Sequence, residues 1–161
     1  MTTSAWRHES PGYHCPFCAF LRGEWDERNA ATDLVVRRDL VFARIAPKWW
    51  PANAGGALVI PITHVENLYD VPTEVGHAMW DLTREVAVAM RGTYGCQGVS
   101  TRQHNEPAGY QDVWHLHVHV LPRYDGDNLY LRHREARDVD VAERAAFATR
   151  LRERIRDAVH E

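Results

Sequence analysis

The chain has 161 residues, 45% of them hydrophobic and 25% charged, the balance of an ordinary globular protein with enough material for one core. Its formal charge of −3 is too small to favour nucleic acid or an anionic membrane as a partner. No apolar run nears the roughly 18 residues that span a bilayer. The start, "MTTSAWRHESPGYHC", has no apolar signal core, so a cytoplasmic protein is expected.

In chain order, the first chemical landmark is Cys15-Pro16-Phe17-Cys18. With Cys96 the cysteines number three, too few for a disulfide framework and odd in count. In a reducing compartment the Cys-x-x-Cys pair therefore reads as metal-binding or redox-active. "AFLRGEW" has room for one or two helical turns. Two β-like runs follow, "TDLVVRR" and "LVFARIA", with Arg37, Arg38 and Asp39 as the tight turn between them. "PKWWPANAGG" reads as a loop and "ALVIP", Ala57 to Pro61, as a short apolar strand.

Asp70 and Pro72 mark a helix start. Val75, Met79, Leu82, Val86 and Met90 then recur at the spacing of an amphipathic helix, which Gly92 and Gly95 end. "GVSTRQH" predicts another strand, "NEPAGYQD" a loop and "VWHLHVHVLPR" the last clear strand. A second helix is expected over 141–159, with Val141, Ala145, Ala148, Leu151 and Ile155 on one face and a solvated face of Arg and Glu. Strands interrupted by one helix and followed by another predict an α+β domain on a mostly antiparallel sheet.

The last strand raises the functional question. Successive side chains of a strand point to opposite faces, so His115, His117 and His119 are expected on one face. Trp114, Leu116, Val118 and Val120 would share the other, packed on the core. The imidazoles would look into a cleft. In a chain with ten histidines a His-x-His-x-His pattern arises by accident with a probability of roughly 4%. On the pattern alone, an incidental polar face or a plain metal tract stays open beside catalysis.

"HNEPAGYQDVWHLHVHVLPRY" strongly resembles the signature of the histidine triad (HIT) family. "GGALVIPITHVENLYDV" looks like that family's strand, proline and downstream histidine, and "CPFC" resembles the N-terminal motif of many bacterial members. The resemblance covers residues 15–124, leaving 125–161 as a C-terminal helical extension of one domain read over 1–161. It implies a mostly antiparallel five-stranded sheet with one long central helix, here followed by a C-terminal helix.

The resemblance also implies an activity: hydrolysis at the α-phosphorus of a nucleoside phosphoramidate or dinucleoside polyphosphate. The "LPR" ending looks more like the dinucleotide polyphosphate branch. An imidazole near its unperturbed pKa of about 6.5 is largely uncharged at neutrality and nucleophilic. The motif match gives the attack to His117, through a covalent nucleotidyl-imidazole that water later releases. His119 would protonate or hydrogen-bond the leaving group. The amides of Asn105 and Gln111 could hold phosphate oxygens without adding a titrating charge, and Gly109 would let the backbone approach. The plainer readings, a turn cap at Asn105 and a surface residue at Gln111, stand beside these. Asp112 sits where some relatives carry a hydroxyl residue, and its role is left open.

Cys15 and Cys18 have zinc-knuckle spacing. Resemblance to zinc-bearing relatives adds His64 and His115, making a closed, structural zinc site behind the strand that carries His117. His14 competes by proximity, and a thioredoxin-like redox pair is weakened by the absence of a βαβ pattern. Arg44 stands where many relatives carry an acidic residue for the ribose hydroxyls. A cation cannot accept those hydrogen bonds, so Arg44 is expected either to meet a phosphate or to mark a rebuilt loop. Trp49 and Trp50 could stack on a base, or pack the loop or a dimer contact. The family implies a homodimer joined sheet to sheet. Two other readings remain: a nucleotidyltransferase or phosphorylase using the same intermediate, and a non-catalytic nucleotide-binding module. His115-Leu116-His117 in place of the His-Pro-His of uridylyltransferase relatives counts against the former.

Overall fold

The computed structural model describes residues 5–158. Helix α1 (Pro16–Leu21) precedes the hairpin of β1 (Leu34–Arg37) and β2 (Val41–Ile45). Strands β3 (Lys48–Trp49) and β4 (Ala57–Pro61) lead to the long helix α2 (Thr73–Thr93). Strands β5 (Gly98–Gln103), β6 (Val118–Arg123) and β7 (Arg137–Asp138) then precede helix α3 (Val141–Ala158). Five strands form one antiparallel sheet in the order β1-β2-β4-β6-β5, while β3 and β7 make a separate two-stranded ribbon. This is the expected α+β architecture.

Composition explains the placement. Every residue of β2 and β4 is buried, Arg44 of β2 included, as strands at the middle of a covered sheet should be. Helix α2 buries Val75, Met79, Leu82, Val86 and Met90, the stripe its periodicity announced. Helix α3 packs beside it, burying Ala148, Leu151 and Ile155. The proposed end of that helix at Val159 lies outside the described residues. Helix α1 begins at Pro16, whose fixed φ suits a first helical position, and Cys15 caps it by accepting from the Cys18 amide. Phe20 of α1 stacks on Phe42 of β2, with ring centroids 5.7 Å apart and planes within 5°.

Four local expectations change. Arg37 is the last residue of β1, and the turn closes on Arg38, whose amide donates to Val41 O. "PKWWPANAGG" is not all loop, because Lys48–Trp49 pairs with Arg137–Asp138 and ties the C-terminal segment to it. Gly92 lies inside α2, where Arg154 of α3 would come within 3.1 Å of an added Cβ; the helix ends only at Thr93, before Gly95 at φ +71°. Most important, the last strand begins at Val118 and not at Val113. Over 113–117 the chain is irregular: the His115 amide turns back to Val113 O at 2.8 Å and the Leu116 amide donates to Val65 O at 2.7 Å.

Candidate functional site

That irregular stretch divides the three histidines. His115 turns to the N-terminal cysteines: its Nδ1 lies 3.2 Å from Cys15 Sγ and 3.7 Å from Cys18 Sγ. His64, just after β4, brings its Nδ1 to 3.4 Å from Cys18 Sγ. All four donor atoms lie within 4.8 Å of one another. Ideal tetrahedral zinc bonds imply sulfur–nitrogen separations of roughly 3.6 Å, which these distances bracket. The outward nitrogens fix the tautomers. His115 Nε2 faces Pro61 O at 2.9 Å, and a carbonyl can only accept, so the proton is on Nε2. His64 Nε2 donates to Glu9 Oε2 at 2.7 Å in the same way. Both rings therefore aim a lone pair at the thiols, the arrangement that orients imidazole ligands. Burial drives His115 down to about 4, keeping the ring neutral, while burial and then Cys15 push the Cys18 thiol up to about 11. The cluster thus joins all four expected ligands, and His14 is absent from it.

His117 and His119 stay together, their ring centroids 5.0 Å apart. His117 is only 5% exposed and packs edge-on against Phe17 of α1 at 5.3 Å. Its Nδ1 donates to His115 O at 2.7 Å, so the lone pair resides on Nε2. That nitrogen looks out toward the Asp112 carboxylate at 4.0 Å, and the Asp112 side chain is 85% exposed. His119 lines a cleft of about 420 Å³ with Trp50, Arg102, His104, Tyr110, Asp112 and His133. Burial first, then His117, Arg102 and His104, hold His119 well below its ordinary value, so both rings are neutral at pH 7.

The other expected contacts are placed differently. Gln111 is buried; its amide donates to Glu66 O at 2.6 Å and Val113 O at 3.0 Å, and its oxygen accepts from the Glu106 amide at 2.9 Å. Glu106 sits at φ +60°, ψ 167°, a region an L-residue enters only when held there, and Gln111 supplies one of the restraints. Asn105 accepts from Leu68 N at 2.8 Å and exchanges amide hydrogen bonds with Gln103. In this arrangement both amides hold the loop. Gly109 lies in the single 3-10 turn of that loop at ordinary φ, with open space where a Cβ would be.

Arg44 departs from one of its two expectations, the contact with a phosphate. It is fully buried and its Nη2 meets Asp33 at 2.8 Å, with further bonds to Ile45 O, Arg28 O and Asn29. Burial lowers it to about 10 despite Asp33, so it remains a cation, but a structural one that no phosphate reaches. Of the tryptophans, Trp49 is packed inside against Phe147 and donates to Ala46 O, whereas Trp50 lines the cleft. The sequence reading missed Glu9 and Pro61 behind the cluster of two cysteines and two histidines, and Arg102, His104 and His133 in the cleft. Arg102 could have been reached by one signal: the strand period places it on the same face as Ser100, but the register opposite His119 is set only in three dimensions.

A family model for the HIT domain matches residues 27–126. An uncharacterized HIT-like protein of Methanocaldococcus jannaschii is 30% identical over 130 residues, covering 80% of this chain and 94% of its own. The adenosine 5'-monophosphoramidase of Saccharomyces cerevisiae is 33% identical over 112 residues, 69% of this chain and 63% of that protein. Among solved structures, a zinc-bound histidine triad family protein from Mycobacterium smegmatis matches with a TM-score of 0.74 at 28% identity, over 91% of this chain and 96% of that one.

Proposed function

Because this chain belongs to the HIT domain family, we propose that it is a nucleotide hydrolase acting at the α-phosphorus of a nucleoside phosphoramidate or dinucleoside polyphosphate. One observation carries the reading: His117 has its Nδ1 proton committed to His115 O, which leaves the Nε2 lone pair at the outer edge of the ring beside His119 and the cleft. In the first step that lone pair forms the bond to phosphorus and the leaving group departs with the electrons of its own bond. In the second, water attacks phosphorus, the N–P pair returns to Nε2 and the water's proton is released. His119, neutral at rest, is the neighbour whose ring N–H can hydrogen-bond the leaving group, and an amine leaving group draws its proton from water. The Asp112 carboxylate must swing away to admit a phosphate, which its exposure allows. The phosphoramidase among the relatives supports the reaction class.

Cys15, Cys18, His64 and His115 fit structural zinc by donor type, spacing and tautomer, and the zinc-bound relative supports that choice of metal. A closed set of four leaves no position for substrate; bound there, zinc fixes ring orientation and takes no part in bond making. The reading includes one domain over 1–161, supported by the packing of β7 and α3 on the rest. It also includes a homodimer, supported by the open edge of β5, which among the described residues pairs with β6 alone, and by exposed Trp80 and Leu68 beside it; light scattering at two chain masses checks this. No helix among the described residues is long and apolar enough to cross a membrane, in keeping with a cytoplasmic location, which fractionation tests.

The deciding comparison is wild type against His117→Ala on a panel of nucleoside phosphoramidates and dinucleoside polyphosphates. The variant is expected to lose at least about a thousandfold in kcat/KM. Equal rates in the two proteins overturn the assignment of the nucleophile.

A further inference from the structure

The cleft beside His119 contains a cation that none of the roles above uses. Arg102 on β5 lies directly opposite His119 on β6, so the two side chains leave the same face of the sheet with Cβ atoms roughly 5 Å apart. Its guanidinium sits 4.8 Å above the Trp50 ring and 5.9 Å from that of Tyr130. Its Nε is buried without a hydrogen-bond partner. Among the described residues no carboxylate pairs with it.

Three other arginines have the carboxylate that Arg102 lacks. Arg123, on the other contact to Tyr130, is neutralised by two hydrogen bonds to Asp127 at 2.7 and 2.8 Å. Arg44 and Arg144 share Asp33. A half-buried guanidinium held by aromatic rings but given no anion carries a cost in isolation, because its Nε faces neither water nor an acceptor. Such a group is preorganised for an oxyanion supplied from outside, since Arg presents planar donors that match phosphate.

We propose that Arg102 binds the leaving-group phosphate of the substrate, and that this cleft selects nucleotides whose leaving group is itself a phosphate ester or polyphosphate. The inference deepens the hydrolase reading and takes its reaction from it. When His117 Nε2 bonds to the α-phosphorus, the bridging P–O bond breaks and its electron pair stays on the departing oxygen. A phosphate departs as an anion without being protonated, and the added charge falls beside the Arg102 guanidinium. An amine leaving group instead needs a proton and gains nothing from this cation. Trp50 and Tyr130 set the guanidinium plane, and Trp50 is in turn fixed by its indole N–H to His133 O at 3.2 Å. Trp50, just after β3, and His133, ahead of β7, line that side of the cleft.

Two measurements on the full-length protein test this. Calorimetric titration with inorganic pyrophosphate should show binding to wild type, roughly 10- to 100-fold weaker binding to Arg102→Met, and partial recovery in Arg102→Lys. Arg102→Gln provides a second neutral variant should the methionine protein fail to fold. In turnover, the ratio of kcat/KM for diadenosine triphosphate to that for adenosine 5'-phosphoramidate should fall at least tenfold in the neutral variants. Absence of pyrophosphate binding to wild type, or equal binding to wild type and neutral variants, overturns the subsite. An unchanged ratio overturns the selectivity. If wild type hydrolyses neither substrate, the hydrolase reading falls while the pyrophosphate titration still decides the subsite.

Discussion

Replacing Asp33 by Asn removes one buried negative charge that two buried arginines share. Asp33 is fully buried and accepts from Arg44 Nη2 at 2.8 Å, from Arg144 Nε at 2.8 Å and Nη2 at 3.1 Å, and from the Ala30 amide at 3.0 Å. Arg44 belongs to the sheet and Arg144 to α3, so this carboxylate fastens the C-terminal helix to β2. The amide that replaces it can offer one oxygen but no charge. The backbone acceptors at Ile45, Arg28, Val139 and Glu27 remain and soften the loss.

Leaving a buried charge without its partner costs about 3–5 kcal/mol. With a urea slope of about 2 kcal/mol/M, the unfolding midpoint should fall by roughly 1.5–2.5 M. Tryptophan fluorescence under equilibrium urea unfolding gives the number, and KM for a nucleotide substrate, measured on folded protein, should stay within about twofold because Arg44 reaches no substrate. A midpoint shift below about 0.3 M together with a raised KM would refute this account and return Arg44 to the substrate site.

The remaining expectations are these. Protein purified without added metal should hold about one zinc per chain, and Glu9→Gln, which weakens the carboxylate behind His64, should lower metal affinity roughly 10- to 100-fold in competition with a chromophoric chelator; near-zero zinc ends the metal assignment, and unchanged affinity ends the role of Glu9. Asp127 has its pKa held far below the carboxylate range, first by Arg123 and also by the Tyr124 and Leu129 amides and Asn53. Because the folded value is depressed, its stabilisation is complete above the unfolded value near about 3.9 and fades as pH falls below it. The stability gap between wild type and Asp127→Asn should therefore be flat from pH 7 to 5 and narrow below about pH 4. A gap already shrinking at pH 6 contradicts the assignment.

The elements with a strong period were legible in the sequence. Val75, Met79, Leu82, Val86 and Met90 announce α2 because burial of one helix face leaves a repeat that no tertiary detail erases. Ala57–Pro61 was equally plain as an apolar run between turns. The ribbon of β3 and β7 was not, since two residues per strand leave no period and their partners are distant in the chain. Arg44 was misread because its partner Asp33 belongs to an adjoining segment, and nothing in "LVFARIAP" reveals a buried carboxylate. The same limit hid Arg102, whose meaning depends on the register opposite His119.

The histidine run illustrates a subtler failure. The alternation of "WHLHVHV" is real, yet the strand that should produce it starts only at Val118, because the amides of His115 and Leu116 are satisfied by Val113 and Val65 and not by a neighbouring strand. The bend sends the His115 ring to the cysteines while its carbonyl still accepts the Nδ1 proton of His117. One residue thus contributes its ring to the donor cluster and its backbone oxygen to the His117 ring. Glu9 and Pro61 set the rings of His64 and His115, the cluster sets the backbone at His115, and that backbone sets which nitrogen of His117 carries the lone pair. A straight strand with three histidines on one face could not do this, since the first ring would point into the same cleft as the other two. The departure from regular pairing is therefore what couples the cysteine and histidine cluster at the N-terminus to a His117 ring with only one nitrogen free.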